Sequence, residues 1–232
     1  MAAGRRLRHA AILFDLDGTL ADTAPDLAAA LNQMLQEDGR EPLPFAELRP
    51  WVSWGAMRLI RVGYGEDLGA ETLKVLRGRF LACYEAGLCR DSRLFPGIPE
   101  VLAALDEAGV PWGIVTNKPG WLTEPLLGAL GLGGRAGTVI SGDTLPYAKP
   151  HPLPLLHAAR ELDVDAVRCA YVGDNIRDIE AGRAAGMHTV AATWGYIPAD
   201  DDPMDWQADT LLTDPPALGA WLKAADPLAG VA

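Results

Sequence analysis

The chain has 232 residues, 49% hydrophobic and 22% charged, the profile of an ordinary globular protein long enough for one good core and a modest insertion. A net charge of −11 argues against a nucleic-acid or anionic-membrane partner, since either favours a basic face, but leaves room for an anionic substrate met by a metal ion and a lysine. Three cysteines (Cys83, Cys89 and Cys169) with no CxxC spacing argue against a disulfide framework, a zinc site or a catalytic thiol.

The basic start, Arg5-Arg6-Leu7-Arg8-His9, superficially resembles a secretion signal. The apolar run after it is too short and ends in Asp15 and Asp17 rather than at small residues, so the expectation is a cytoplasmic protein. That run, Ala10-Ala11-Ile12-Leu13-Phe14, reads as a buried strand of a parallel sheet. From Pro25 to Asp38 apolar residues recur at helical spacing, with Thr23 or Asp22 as cap and Gly39 as stop. Further helical stretches run through Phe45, Leu48, Trp51 and Val52, near Met57 to Ile60, and from about Ala70 to Gly87. Nothing from 24 to 92 reads as a strand, so this block is an all-helical insertion.

Beyond Phe95 the pattern alternates. Helices are expected over 99–108, 121–130, 152–162, 176–185 and about 218–222. Strands are expected over 112–115, 138–140, 169–172, 189–192 and 210–212. Such alternation means right-handed crossovers and a parallel α/β sheet, to which the first strand also belongs. The domain reading is therefore 1–22 with 93–232 as an α/β core and 23–92 as a helical insert.

The chemistry lies just past the strand ends, where open α/β sheets bind ligands. The first strand delivers Asp15 and Asp17. The strand ending at Val115 delivers Thr116 and Asn117, the next leads to Lys149, and the one ending at Val172 delivers Asp174, with Asp178 four residues on. Taken singly, each has a plain explanation: Asp-Gly as a turn, Thr116-Asn117 as a helix cap, Lys149 as a solvated lysine, Asp174 and Asp178 as helix-start acids. Their joint, ordered occurrence overturns those explanations. His9, His151, His157 and His188 show no ligand spacing.

With Phe14-Asp15-Leu16-Asp17-Gly18-Thr19-Leu20, Ile114-Val115-Thr116-Asn117-Lys118-Pro119, Lys149-Pro150 and Gly173-Asp174 with Asp178 in this order, the chain resembles the haloacid dehalogenase superfamily, in its phosphatase branch with a helical cap. The resemblance implies a Rossmann-like core, an inserted cap and Mg²⁺-dependent hydrolysis of a small phosphorylated metabolite, in a monomer or homodimer. It makes Asp15 the nucleophile that forms an aspartyl-phosphate and Asp17 the acid and then the base. Mg²⁺, which prefers six oxygens, would be held by Asp15, the Asp17 carbonyl and Asp174, with Asp178 holding a water or Lys149. Thr116, Asn117 and Lys149 would bind phosphoryl oxygens.

A lid over the rim would choose the substrate. Within it Ser53, Trp54 and Arg58, near Trp51 and Arg61, resemble by position the substrate-reading segment of phosphoglycolate phosphatase-like enzymes; the alternative is packing by the tryptophans and solvated arginines. Trp194 to Pro198 and the segment 202–209 are similar to a proteobacterial subgroup in which some members act on N-acetylmuramic acid 6-phosphate. A phosphosugar mutase on this scaffold and a catalytically silent interaction protein are the competing readings; a dehalogenase does not need the acid that Asp17 supplies.

Overall fold

Every residue of Ala11–Phe14 (β1) is fully buried, as a strand covered on both faces requires. The structure, a computed structural model, describes residues 9–224; Arg5 to Arg8 of the basic N-terminal segment lie outside the described residues. After β1 come a two-residue strand, Ala21–Asp22 (β2), and then helices Ala24–Glu37 (α1), Phe45–Leu48 (α2), Ala56–Tyr64 (α3) and Ala70–Ala86 (α4). A second short strand, Arg93–Leu94 (β3), pairs antiparallel with β2 and brings the chain back beside its point of departure. Ile98–Ala108 (α5), Trp112–Val115 (β4), Gly120–Ala129 (α6), Thr138–Ile140 (β5) and Leu153–Glu161 (α7) follow. Cys169–Gly173 (β6), Ile176–Ala184 (α8), His188–Ala192 (β7), Thr210–Leu212 (β8) and Pro215–Lys223 (α9) complete the described chain.

The six longer strands form one parallel sheet in the order β5-β4-β1-β6-β7-β8. Because β1 pairs with β4 on one side and β6 on the other, the loops after these three strands are neighbours on one rim. Strand order reverses there, which opens the crevice where α/β sheets receive ligands. The fold is thus an α/β Rossmann-like core with an inserted helical cap. Among the described residues no helix is long and apolar enough to cross a membrane.

Three details differ from the sequence reading. The helical stretch through Trp51 is split: α2 stops at Leu48 and a 3₁₀ segment, Arg49–Trp54, takes over. Pro50 has no N–H to continue an α-helix, and Gly55 at φ +87° ends the segment. Strands β2 and β3 carry no period because two residues cannot display one. Thr23 is the N-cap of α1, yet its hydroxyl makes no cap bond; instead the Thr23 and Ala24 N–H groups donate to the Tyr196 hydroxyl, at 2.7 and 3.0 Å.

The cap packs through α1 and α4. Leu31, Met34 and Leu35 on α1, with Phe80 and Tyr84 on α4, are almost completely buried in the main core cluster. Each such side chain contributes about 1.5–3 kcal/mol relative to exposure, so cap and core are held in this arrangement chiefly by apolar area. The crossing points are also tied by polar groups: Asp26 on α1 accepts hydrogen bonds from the Asp91 N–H, the Ser92 N–H and the Ser92 hydroxyl.

Candidate active site

At the end of β1 the chain turns through Leu16-Asp17-Gly18, and Gly18 takes φ +87°. A Cβ there would lie 2.0 Å from Asp174 Oδ2, so glycine is needed both for the turn and for the approach of Asp174. Asp15, at the start of this turn, is 8% exposed, and Lys149 reaches it across the crevice with Nζ 2.7 Å from Asp15 Oδ1. The same ammonium lies 2.7 Å from Asp178 Oδ1 and 2.8 Å from the Tyr171 hydroxyl. Burial by itself would lower the Lys149 pKa, but Asp15 and Asp178 overcome it and hold the ammonium above its usual value. Burial raises the Asp15 carboxyl, Lys149 opposes it and Asp178 adds to it, leaving a pKa of about 6.

Asp174 follows β6 and has no exposed surface. It accepts the Tyr196 N–H at 2.8 Å and the Ser53 hydroxyl at 2.5 Å. Burial first, and then Asp15 and Asp178, push its carboxyl well above the carboxylate range. Oxygens of Asp15, Asp174 and Asp178 all lie within 4.8 Å of one another. Such a buried trio of hard oxygen donors, only partly neutralised by Lys149, fits Mg²⁺ chemically. Asp178 is already committed: Oδ1 accepts from Lys149 and Oδ2 from the Asn175 N–H, closing a capping box at the start of α8. That leaves Asp15 and Asp174 as the carboxylates with oxygens to offer.

Asp17 turns the other way. Its Oδ1 accepts from the Lys118 ammonium at 2.8 Å and the Thr23 hydroxyl at 2.5 Å. Its side chain is thus engaged with the start of the cap and with Lys118 rather than with Lys149, and its carboxylate is not part of the acidic trio. Lys118, which follows β4, is buried, and burial would lower its pKa, but Asp17 first and then the Tyr84 side chain hold it above the usual value. Its sequence signal was only its place in the Thr116-Asn117-Lys118-Pro119 motif, where no role attaches to it without knowledge of the fold.

Thr116 and Asn117 begin the loop after β4 but do not cap α6, whose N-cap is Pro119. The Thr116 side-chain oxygen accepts the Lys118 N–H at 3.1 Å, leaving its own hydrogen free to donate toward the cavity. Asn117 is used differently: its amide donates to the Lys149 carbonyl at 2.9 Å and accepts the Lys149 N–H at 3.0 Å. Both side-chain polar atoms are spent on holding the Lys149 main chain, which is followed by a cis bond to Pro150. Tyr171 completes the support by donating to the Val115 carbonyl at 2.8 Å while receiving the Lys149 ammonium.

These groups open into a cavity of about 350 Å³ between the rim and the cap. Ser53 and Trp54 line it; Arg58 does not, since its guanidinium is paired with Glu66 at 2.5 Å and lies 4.1 Å from the Trp51 ring centre. Arg61 bonds the Glu66 carbonyl. Hydrogen bonding ties the cap loop to the core: Ser53 reaches Asp174, and Arg177 donates to the Ser53 carbonyl. Lining residues given no site role from the sequence include Asn175 and Arg177 after β6 and, on α4, Arg77 and Tyr84; the latter reads only as a helix-face residue, because a helical stripe on a four-helix insertion does not reveal which face meets the core.

A model of haloacid dehalogenase-like hydrolases matches residues 9–186. A phosphoglycolate phosphatase of Xanthomonas campestris pv. campestris (strain 8004) is 50% identical over 217 residues, covering 94% of this chain and 97% of that one. An N-acetylmuramic acid 6-phosphate phosphatase of Pseudomonas aeruginosa PAO1 is 41% identical over 214 residues, covering 92% and 95%. The crystal structure of a predicted phosphoglycolate phosphatase from Haemophilus somnus 129PT superposes with a TM-score of 0.79 at 30% identity, over 89% of this chain and 95% of that one. With the strand-end carboxylates, buried lysine and inserted helices of that fold in place, the chain belongs to the haloacid dehalogenase-like hydrolase family and is a phosphatase within it.

Proposed function

We propose that the protein is a Mg²⁺-dependent phosphomonoesterase that works through an aspartyl-phosphate on Asp15, with 2-phosphoglycolate and N-acetylmuramic acid 6-phosphate as the leading substrates. The observation that carries this reading is the division of labour between two carboxylates on one turn: Asp15 meets Lys149 within the acidic trio, while Asp17 meets Lys118 and Thr23 at the start of the cap. The substrates come from the two relatives' names.

A bound Mg²⁺, held by Asp15, Asp174 and the Asp17 carbonyl, would neutralise phosphoryl charge and let an anion approach a carboxylate. The chain's own groups do the rest. An Asp15 oxygen attacks phosphorus while Lys149 and the Thr116 hydroxyl hold non-bridging oxygens, and Asp17 delivers a proton to the departing alkoxide. Asp17 then takes a proton from the water that attacks the acyl phosphate, and Asp15 is regenerated. Asp178, Tyr171 and Asn117 act on Lys149, fixing where its ammonium stands. Closing the helical block over the rim excludes bulk water, and residues 23–92 are assigned to that cap, with 1–22 and 93–232 as the core.

The test is phosphate release. With Mg²⁺ the enzyme should liberate inorganic phosphate from an aryl phosphate and from at least one of the two named substrates, and Asp15→Asn should abolish both. Return of phosphate to another hydroxyl of a sugar, without free phosphate, would favour a mutase instead. Full activity in Asp15→Asn would exclude the covalent route.

A further inference from the structure

The cations that line the cavity are not equivalent. Lys149 is paired with Asp15 and Asp178, Lys118 with Asp17, and Arg177 donates to Asn175 Oδ1 and to the Ser53 carbonyl. Arg77 lines the same cavity, stands exposed, and makes no ion pair or hydrogen bond among the described residues. A cation left unpaired on the wall of an anion-processing cavity is free to take a second negative group from the ligand.

Its place on α4 sets it apart from the groups around Asp15. Tyr84, on the same helix, marks the inner end: the Lys118 ammonium is 4.6 Å from its ring centre and 2.8 Å from Asp17. Arg77 is seven residues earlier, about two helical turns or roughly 10 Å along the axis, on the same face. Phe80 and Leu81 line the cavity between them. Arg77 thus stands toward the outer end of the cavity, where it can meet a negative group well removed from the phosphoryl; a monosaccharide with an acidic substituent carries one, and a two-carbon acid places its carboxylate next to the phosphoryl ester. The cavity of about 350 Å³ has room for such a monosaccharide.

A second feature points the same way. Trp54 Nε1 is buried with no hydrogen-bond partner among the described residues; the Tyr84 hydroxyl is buried too, with the Lys118 ammonium beside it but its own hydrogen without an acceptor, and both residues line the cavity. Buried donors are almost always satisfied, so a donor left open on this wall marks where a ligand oxygen belongs. A hydroxyl- and amide-bearing ring between the phosphoryl site and Arg77 would supply it.

Resting on the phosphatase reading above, we propose that Arg77 is a specificity-determining residue that pairs with a carboxylate on the leaving group, remote from the phosphoryl. The site then selects phosphomonoesters of sugar-acid size over both uncharged sugar phosphates and two-carbon acids. Phosphoryl transfer itself does not involve Arg77.

The experiment compares N-acetylmuramic acid 6-phosphate with N-acetylglucosamine 6-phosphate, which lacks the lactyl carboxylate, using the Mg²⁺-loaded enzyme with 2-phosphoglycolate and p-nitrophenyl phosphate as controls. Wild type should prefer the muramic ester by about tenfold or more in kcat/KM, the scale of one charge-assisted contact. Arg77→Gln should erase that preference through KM, leave the glucosamine ester and the aryl phosphate unchanged, and be partly rescued by Arg77→Lys. Equal wild-type rates on the two sugars, or an Arg77→Gln loss shared by all four substrates, would overturn the proposal while leaving the phosphatase intact. No phosphate from any substrate, the aryl ester included, would instead defeat the phosphatase reading beneath it.

Discussion

The Lys118 ammonium lies 2.8 Å from Asp17 Oδ1 and 4.6 Å from the centre of the Tyr84 ring, so a core carboxylate and a cap helix share one buried cation. Replacing Lys118 with Met keeps most of the apolar stem and removes the charge. Asp17 retains the Thr23 hydroxyl and some solvent, so the expected loss is about 1–2 kcal/mol, below the ~3–5 kcal/mol of a fully buried broken pair. Alkyl phosphate hydrolysis should fall at least about tenfold and aryl phosphate hydrolysis less, because an aryl leaving group needs little protonation. Urea unfolding and two-substrate kinetics measure the two effects; equal losses on both esters would show that Lys118 does not act through Asp17.

Asp15→Asn should inactivate the enzyme and yet stabilise the metal-free protein. The folded carboxyl has a pKa of about 6, raised by burial from an unfolded value near 4, so native protein loses stability as pH climbs through that window. At pH 8 the variant should therefore melt higher than wild type, by an amount on the order of 1–3 kcal/mol, and at pH 4 the advantage should vanish. Thermal melts in EDTA across this range check it. A lower melting temperature for the variant at pH 8 would mean that Lys149 needs Asp15 more than burial penalises it.

Asn117→Ala leaves the Lys149 N–H and carbonyl without their side-chain partner. The expected cost is roughly 1–3 kcal/mol of stability, the range for stranding buried polar groups, together with a drop in kcat on every phosphate ester. Asn117→Asp can still accept the Lys149 N–H but cannot donate to the carbonyl, and should fall between the two. Denaturant titration alongside steady-state kinetics distinguishes support of Lys149 from direct phosphate contact, which would appear mainly in KM.

Gly18→Ala places a methyl 2.0 Å from Asp174 Oδ2 in a backbone region that L-residues avoid. Asp174 must move, so the Mg²⁺ concentration for half-maximal activity should rise about tenfold or more, and the Mg²⁺-induced increase in melting temperature expected of wild type should shrink. Differential scanning fluorimetry with and without Mg²⁺ reads this directly. An unchanged Mg²⁺ response would remove Asp174 from the metal site.

Far from the site, Asp106 accepts from Arg135 at 2.7 Å and from Trp112 Nε1 at 2.8 Å, and these bonds, Arg135 first, hold its carboxyl below the usual range. A depressed folded pKa means stability present at neutral pH and lost as pH falls through that folded value. Asp106→Asn should thus be modestly destabilising at pH 7, with the gap closing below about pH 4, as equilibrium unfolding at both pH values would show.

Much of this protein was written locally. The apolar runs through Ile12-Leu13-Phe14 and Tyr171-Val172, ended by charged loops, read as buried strands and are so, and the turn after each carries its acid by sequence adjacency alone. Helix positions followed from apolar period and from Gly and Pro punctuation, which act over a few residues. Short strands β2 and β3 escaped because their pairing spans more than seventy residues and two residues have no period. The 3₁₀ form of Arg49–Trp54 escaped because apolar spacing does not separate it from an α-helix over one turn.

The sequence by itself singled out the residues proposed to carry the chemistry: Asp15, Asp17, Thr116 and Asp174 come just past a strand and Lys149 in the loop after one, and a parallel sheet puts such ends on one rim. Only the tertiary structure decided what each of them touches. Asn117 turned out to hold the Lys149 main chain, Arg58 to face Glu66, and Lys118 and Arg77 to enter the cavity. The reason is physical: strand order and period are set by neighbours along the chain, whereas a side chain's partner is set by the packing of elements far apart in sequence.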